Sequence, residues 1–177
     1  MRTALNIAQV AILALMATSG SGLAQGSGAE ARLKQLNITL PADSAPAANF
    51  VNSVQAGKLL FLSGNTPGGQ WPLKGKVGKD LTVEQGYQSA RQTGLIMLTK
   101  VRTALGSLDR VKRIVKVLGM VNSAEGFSDQ PKVVNGFSDL MVEVFGEAIG
   151  KHARSAVGMA GLPGNAPVEV EMIVEVE

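Results

Sequence analysis

Arg154 is the side chain in this sequence best suited to hold an anion. It follows Gly150-Lys151-His152-Ala153 and leads into Ser155-Ala156-Val157, so its guanidinium is expected at the start of a strand, projecting from a sheet rim into a cleft. A planar fork of five N–H donors suits two-point capture of a carboxylate or a phosphate. The alternative is a salt bridge to a glutamate at the same sheet end. Glu169 and Glu171 lie on one parity of the last apolar run. With Lys112 and Lys116 they form either a site or cross-strand ion pairs worth about 0.2–1 kcal/mol each. The cluster Arg110, Lys112, Arg113 and Lys116 reads as an anion patch, or as a solvated edge whose charges block aggregation. His152 is the chain's one histidine and could act as a base near neutral pH. No orienting acid lies beside it in sequence, which favours a place on the rim.

Other chemistries are excluded by composition. The 177 residues contain no Cys and a single His, which removes disulfides, thiolate nucleophiles, Cys-ligated zinc and His-rich metal centres. The Gly-rich stretch 68–78 has neither a P-loop nor a dinucleotide-binding spacing, and no G-x-S-x-G elbow occurs. A net charge of +3 with five Phe, one Tyr and one Trp gives little basis for nucleic-acid binding. A hydrophobic fraction of 45% fits one globular domain and neither a disordered chain nor a multi-pass membrane protein.

The elements that must position Arg154 and Glu169 follow from periodicity. Asn49 to Gln55 and Lys58 to Gly64, joined at Ala56-Gly57, read as a hairpin, the second strand apolar on both parities and so expected buried on both faces. Residues 65–80 form a loop in which Trp71 is a plug or a lid. Thr82 and Gln85 make a capping-box pattern before a helix from about 83 to 105, stopped by Gly106. Arg110 to Asn122 is a strand, with Val111, Val115 and Val117 on one parity and Lys112, Ile114 and Lys116 on the other. Ser128, Asp129 and Pro131 open a second helix with a core stripe of Val133, Phe137, Leu140, Met141, Val144 and Ala148. Ala153 to Met159 and Val168 to Val176 complete an α+β order, β-β-α-β-α-β-β, with two helices on one face of a mixed sheet. In the last strand Val168, Val170, Met172, Val174 and Val176 should pack on the helices.

The N-terminal residues carry an address. Arg2, the apolar run Ile7 to Ala17 and Gly22-Leu23-Ala24 are the parts of a signal peptide over residues 1–24; Thr18 to Ser21 cut the run short of the about 20 apolar residues a span needs. The expectation is an exported chain, periplasmic or secreted, free of the membrane after cleavage. Residues 25–40 form an N-terminal extension, with a short helix possible over Glu30 to Asn37, and 41–177 the domain.

Beyond these patterns, several stretches together resemble the RidA/YjgF superfamily of reactive intermediate deaminases, some of whose members carry an endoribonuclease label. They are Ala56 to Gly64, Gly86 to Arg91, Asn135, Arg154-Ser155-Ala156-Val157 and Val168-Glu169-Val170-Glu171. The resemblance covers about residues 40 to 177. Gly75-Lys76-Val77-Gly78 and Asp129 to Gly136 are similar to a less characterised branch. It implies a chorismate-mutase-like fold, a homotrimer and pockets between subunits. It also implies hydrolytic deamination of 2-imino or 2-enamino acids to 2-keto acids and ammonia without a metal or cofactor, Arg154 holding the substrate carboxylate and Glu169 positioning water. Phe50, Ser63, Gly64, Asn135 and Ala156 match positions that line or support the pocket. Phe50 stands where the studied deaminases usually carry a tyrosine, and Ala156 where they carry a cysteine or comparable side chain. Those two departures, with export, support an alternative: a non-catalytic trimer that binds a small carboxylate or acts like a chaperone. With so few aromatics for stacking, RNA cleavage is the weakest expectation.

Overall fold

The computed structural model describes residues 28–46 and 48–177; the expected signal peptide lies outside them. Local sequence determines the two long helices. At α2 (Val83–Leu105), Gln85 N–H donates to Thr82 Oγ1 at 3.2 Å and Thr82 N–H to Gln85 Oε1 at 2.9 Å, the reciprocal capping box. Gly106 ends the helix at φ 81°, a conformation that costs a residue without Cβ little. Helix α3 (Gln130–Phe145) carries Pro131 in its first turn, where a missing N–H is no loss. Gly146 at φ 77° stops it before the short α4 (Glu147–Gly150). Ala148 is thereby taken off the α3 stripe and exposed on α4, a correction to the expected core list; Phe145 and Val134 are buried in addition to the rest. A further helix, α1 (Ala29–Gln35), puts Ala29 and Leu33 into the core.

Strands β1 (Ser53–Ala56), β2 (Leu59–Asn65), β3 (Val111–Asn122), β4 (Ala153–Met159) and β5 (Val168–Val176) form one sheet in the order β1-β2-β5-β3-β4. Only the β3–β4 pair is parallel, and α3 with α4 supplies its crossover. Strand β1 is shorter than the expected Asn49–Gln55, because residues 48–50 turn sharply, with Phe50 N–H on Ala48 O at 2.8 Å. Alternation along β5 matches the sequence pattern, with Val168, Val170, Met172, Val174 and Val176 all buried.

Two expectations about the strands are corrected. Leu60 and Leu62 of β2 are buried, but Leu59 and Phe61 are exposed on the face away from the helices, so within one chain this strand is covered on one side only. In β3 the register against β5 slips by one residue between Val111 and Arg113 and again between Ile114 and Lys116. These bulges rotate the strand, so Val111, Ile114 and Val117 face the core while Val115 is only half-buried.

Helix α3 lies close to both its neighbours. A Cβ at Gly136 would collide with the carbonyl of Tyr87 on α2, and one at Gly119 of β3 would sit 2.5 Å from Val134 Cγ1. Around this packing, polar groups anchor the loops. Lys100 of α2, 3% exposed, donates to Asp43 Oδ1 at 2.6 Å and to both oxygens of Ser44, tying residues 41–44 across the helix. Trp71 Nε1 donates to Ser89 Oγ at 2.9 Å, so Trp71 pins its loop to α2 as a plug. Among the described residues no buried side-chain polar atom lacks a partner, as a low-dielectric interior requires.

Candidate functional site

Arg154 is the second residue of β4, opposite Val117 of β3, and Val117 faces the helices. The guanidinium accordingly lies over α3. Its Nη1 donates to Asn135 Oδ1 at 2.9 Å and to Ser138 Oγ at 3.0 Å, and its Nη2 to Pro131 O at 3.4 Å. Asn135 and Ser138 are three residues apart, so one helical face presents both. No glutamate pairs with Arg154 among the described residues, so the salt-bridge alternative is set aside. Two of the five N–H donors are without a protein partner there, the number a two-point carboxylate contact uses. Ala156, two residues on, shares the helix-facing side opposite Gly119 and is partly buried.

His152 stands closer to this group than its sequence context suggests. Its Nδ1 is 2.7 Å from Gly150 O and its Nε2 3.0 Å from Ser138 Oγ. Burial, and then the nearby Arg154 charge, hold the imidazole below its ordinary pKa, against the Gly150 bond that favours the charged form. Ser138, His152, Arg154 and Asp139 line an open cleft of about 570 Å³. Sequence reasoning does not single out Ser138; the available signal is a second polar residue one turn after Asn135 in an otherwise apolar stripe.

Glu169 is on the other face. It pairs in register with Met120 of β3, on the parity opposite to Val117, and its carboxylate occupies the place where a Cβ at Gly64 would stand. Burial first, and the adjacent Glu171 carboxylate second, push Glu169 above its ordinary carboxylate pKa. Beside it a pocket of about 260 Å³ is lined by Phe61, Ser63, Lys116, Leu118, Glu171 and Ile173, among others. Ser63 donates its hydroxyl to Val51 O at 2.6 Å, fastening the turn that carries the exposed Phe50.

The expected cross-strand ion pairs are replaced by others. Lys112 pairs with Glu177 at 2.7 Å, joined by Arg110 at 3.8 Å, and Lys116 donates to Ser155 Oγ at 2.8 Å. In the register of β3 against β5, Met120 stands opposite Glu169, Leu118 opposite Glu171 and Lys116 opposite Ile173, so neither lysine faces these two glutamates, which have no ion-pair partner among the described residues. Lys76, marked in the sequence only as part of the Gly75–Gly78 stretch, is a structural stitch: its Nζ donates to Asn122 Oδ1 at 3.0 Å and to the carbonyls of Ser123 and Ala160. No cluster of three or more His, Asp or Glu side chains suited to a metal ion occurs among the described residues.

The residues expected at the site therefore fall into two groups on opposite faces of one sheet: Arg154, Asn135 and Ala156 on one, Glu169, Ser63, Gly64 and Phe50 on or beside the other. Comparison with known proteins gives this arrangement a context. The family model described as "YjgF/chorismate_mutase-like, putative endoribonuclease" matches residues 30–176. The chain is 48% identical over 149 residues to Protein TCP17 of Trypanosoma cruzi, covering 82% of this chain and 92% of that protein. It is 29% identical over 140 residues to a 2-iminobutanoate/2-iminopropanoate deaminase of Dermatophagoides farinae, covering 79% and 95%. Its fold superposes on Atu1372, a protein of unknown function from Agrobacterium tumefaciens, with a TM-score of 0.75 at 41% identity, covering 84% and 91%. A family match over residues 30–176, together with a relative 48% identical across 82% of the chain, leads to one conclusion: the chain belongs to the YjgF/RidA family and has its chorismate-mutase-like fold.

Proposed function

We propose that this protein hydrolyses reactive 2-imino and 2-enamino acids to 2-keto acids and ammonia, in pockets between the subunits of a homotrimer. The observation that carries the reading is the pairing of chemistries: an arginine with two unused donors, and a glutamate raised above its usual range, each held on a rigid strand. They occupy opposite faces of one chain's sheet, so a pocket containing both needs Arg154 of one copy and Glu169 of another. Exposed Leu59, Phe61, Val157 and Met159 supply an apolar surface for such an assembly.

Arg154 then holds the substrate carboxylate and fixes the C=N carbon near Glu169. Glu169 accepts a proton from a water whose oxygen bonds to that carbon, the π electrons pass to nitrogen, and Glu169 returns the proton to that nitrogen, giving a neutral carbinolamine. In its collapse Glu169 takes the hydroxyl proton as the C=O of the keto acid forms and passes it to the nitrogen, which leaves as ammonia when the C–N bond breaks. Asn135 steadies Arg154, while Ser63 and Gly64 leave room for Glu169 and water. The signal-peptide pattern of residues 1–24 extends the proposal to an exported, periplasmic or secreted location. A second reading, an exported trimer that binds a carboxylate without turnover, is favoured by Phe50 and Ala156, which bring no hydroxyl or thiol to the site.

The test is loss of the imine derived from 2-aminoacrylate, generated in place from serine, followed against spontaneous hydrolysis with the purified chain, Arg154→Ala and Glu169→Ala. Acceleration lost in both variants is the expected result. A rate equal to buffer, with a small carboxylate still bound, would replace this reading with the second one.

A further inference from the structure

We propose that Ser138 and His152 are positioning residues of the carboxylate site, bracing Arg154 through its Nη1, and that a carboxylate on Arg154 and a proton on His152 favour one another. The inference rests on the reading of Arg154 as the carboxylate anchor.

The hydrogen bonds fix one another's direction. Gly150 O, 2.7 Å from His152 Nδ1, can only accept, so Nδ1 carries a hydrogen. In the neutral ring Nε2 is then the acceptor, and the hydrogen of Ser138 Oγ, 3.0 Å away, points to it. That leaves the oxygen's lone pairs for Arg154, whose Nη1 donates at 3.0 Å. Asn135 Oδ1 takes the second Nη1 hydrogen at 2.9 Å. Both donors of one guanidinium nitrogen are thus fixed by α3, and α3 is itself locked by its close contact with α2. A side chain that must aim two remaining donors at a planar anion gains from such bracing, because less freedom is lost on binding.

The charges around His152 decide the sign of the coupling. Arg154 on β4 is one hydroxyl away. Lys151 lines the same cleft with its ammonium paired to Glu147 of α4 at 2.7 Å. Asp139 of α3 lines it too, its carboxylate accepting from Tyr87 of α2 at 2.9 Å. The Phe137 ring meets the imidazole edge-on with centroids 6.3 Å apart, and Lys116 of β3 is engaged with Ser155. Of these charged groups, Arg154 is the one whose charge acts on His152. A carboxylate bound there cancels part of its repulsion and lets the imidazole take up a proton. Ser138 tolerates that change: its oxygen has two lone pairs, one for His152 Nε2–H and one for Nη1–H, while its own hydrogen turns to a carbonyl one helical turn back. By linkage, the protonated protein binds the anion more tightly by the factor that the anion favours the proton.

Because the chain has one histidine, its imidazole gives a single set of proton resonances. These can be titrated by NMR in the full chain, with and without saturating pyruvate as the probe. The expected result is a midpoint below 6.5 that rises by about 0.5 unit with pyruvate, matched by a pyruvate Kd about threefold tighter at pH 5 than at pH 8. Subtracting the pH dependence of His152→Gln removes the contribution of Glu169, whose ionisation also opposes an anion. Ser138→Ala should weaken pyruvate about tenfold, the scale of one hydrogen bond to a charged group, and Ser138→Thr should restore it. The wild-type titration decides the matter should Ser138→Ala fail to fold. Pyruvate binding that Arg154→Ala abolishes, with an unmoved His152 midpoint or an unchanged Kd in Ser138→Ala, would overturn this inference alone. Coupled binding without turnover of the imine would leave it standing and overturn the deaminase reading, and absence of pyruvate binding would overturn both.

Discussion

On β5, Val168, Val170, Met172, Val174 and Val176 are almost wholly withdrawn from solvent beneath α2 and α3, while Glu169, Glu171 and Glu175 alternate with them on the other side. The same strands thus carry two surfaces of different kind. The covered surface is continuous aliphatic packing in which each side chain is fixed by neighbours from two layers. The open surface mixes Phe61, Leu59, Val157 and Met159 with Glu169, Glu171 and Lys116, too apolar for a solvated face and too charged for a core. The contrast separates two jobs: one face holds the strands in place, and the other can carry ionisable groups and apolar contacts at modest cost to the fold.

Four substitutions test that division, and the largest effect should come from the covered face. Met172→Lys puts a cation where 2% of the residue is exposed; a loss of about 4 kcal/mol or more is expected, read from the urea midpoint. Arg154→Ala comes next: kcat/KM should fall about 10²–10³-fold with the thermal midpoint nearly unchanged, since the guanidinium's contacts are hydrogen bonds to Asn135, Ser138 and Pro131 on the outer face of α3. A large drop in the midpoint instead would make Arg154 part of the scaffold. Third, Phe61→Lys on the open face should lower the sedimenting mass about threefold, from trimer to monomer, at a stability cost of about 1 kcal/mol or less per chain. If the wild type already sediments as a monomer, the two faces of a single chain cannot form one pocket and the proposed assembly fails.

The smallest expected effect is the most diagnostic of the open face. Because the folded state raises the Glu169 pKa above its unfolded value, ionisation of Glu169 opposes folding. The associated stability is present below about pH 4.5 and is lost as pH rises through the folded pKa. Glu169→Gln should therefore raise the thermal midpoint at pH 7 by about 1–3 °C and leave it nearly unchanged at pH 4, even as activity falls. A midpoint that drops at pH 7 would mean that the carboxylate is structurally needed there.

Much of the scaffold is legible in the residue order. The Thr82 and Gln85 capping box, Gly106, Pro131 and the unbroken alternation from Val168 to Val176 place α2, the start of α3 and β5 closely, because each signal acts through neighbours within a few residues. Periodicity misleads where a residue's surroundings come from elsewhere in the chain. It puts Ile114 on the lysine parity, because the two bulges in β3 exist only against β5. It counts Ala148 in the stripe of α3, although Gly146 turns the chain out of it. It expects Phe61 inside, because apolar character alone does not reveal which face a single chain covers. At the site, resemblance picks out Arg154, Glu169 and Asn135 from the sequence, whereas nothing local marks Ser138 or lifts His152 above a place on the rim.

Helices, strands, aliphatic faces and the types of group available for chemistry are all properties of the sequence, since propensity, capping and period act locally on the backbone and its side chains. The folded arrangement adds what no such signal contains: Arg154 and Glu169 stand on opposite sides of one sheet, Gly64 yields its Cβ space to Glu169, and a serine from α3 joins the lone histidine to the guanidinium. Those relations depend on strand register and on the approach of α3 to β4. They connect residues far apart in the chain, Gly64 and Glu169 more than a hundred positions apart, for which no local period carries the information.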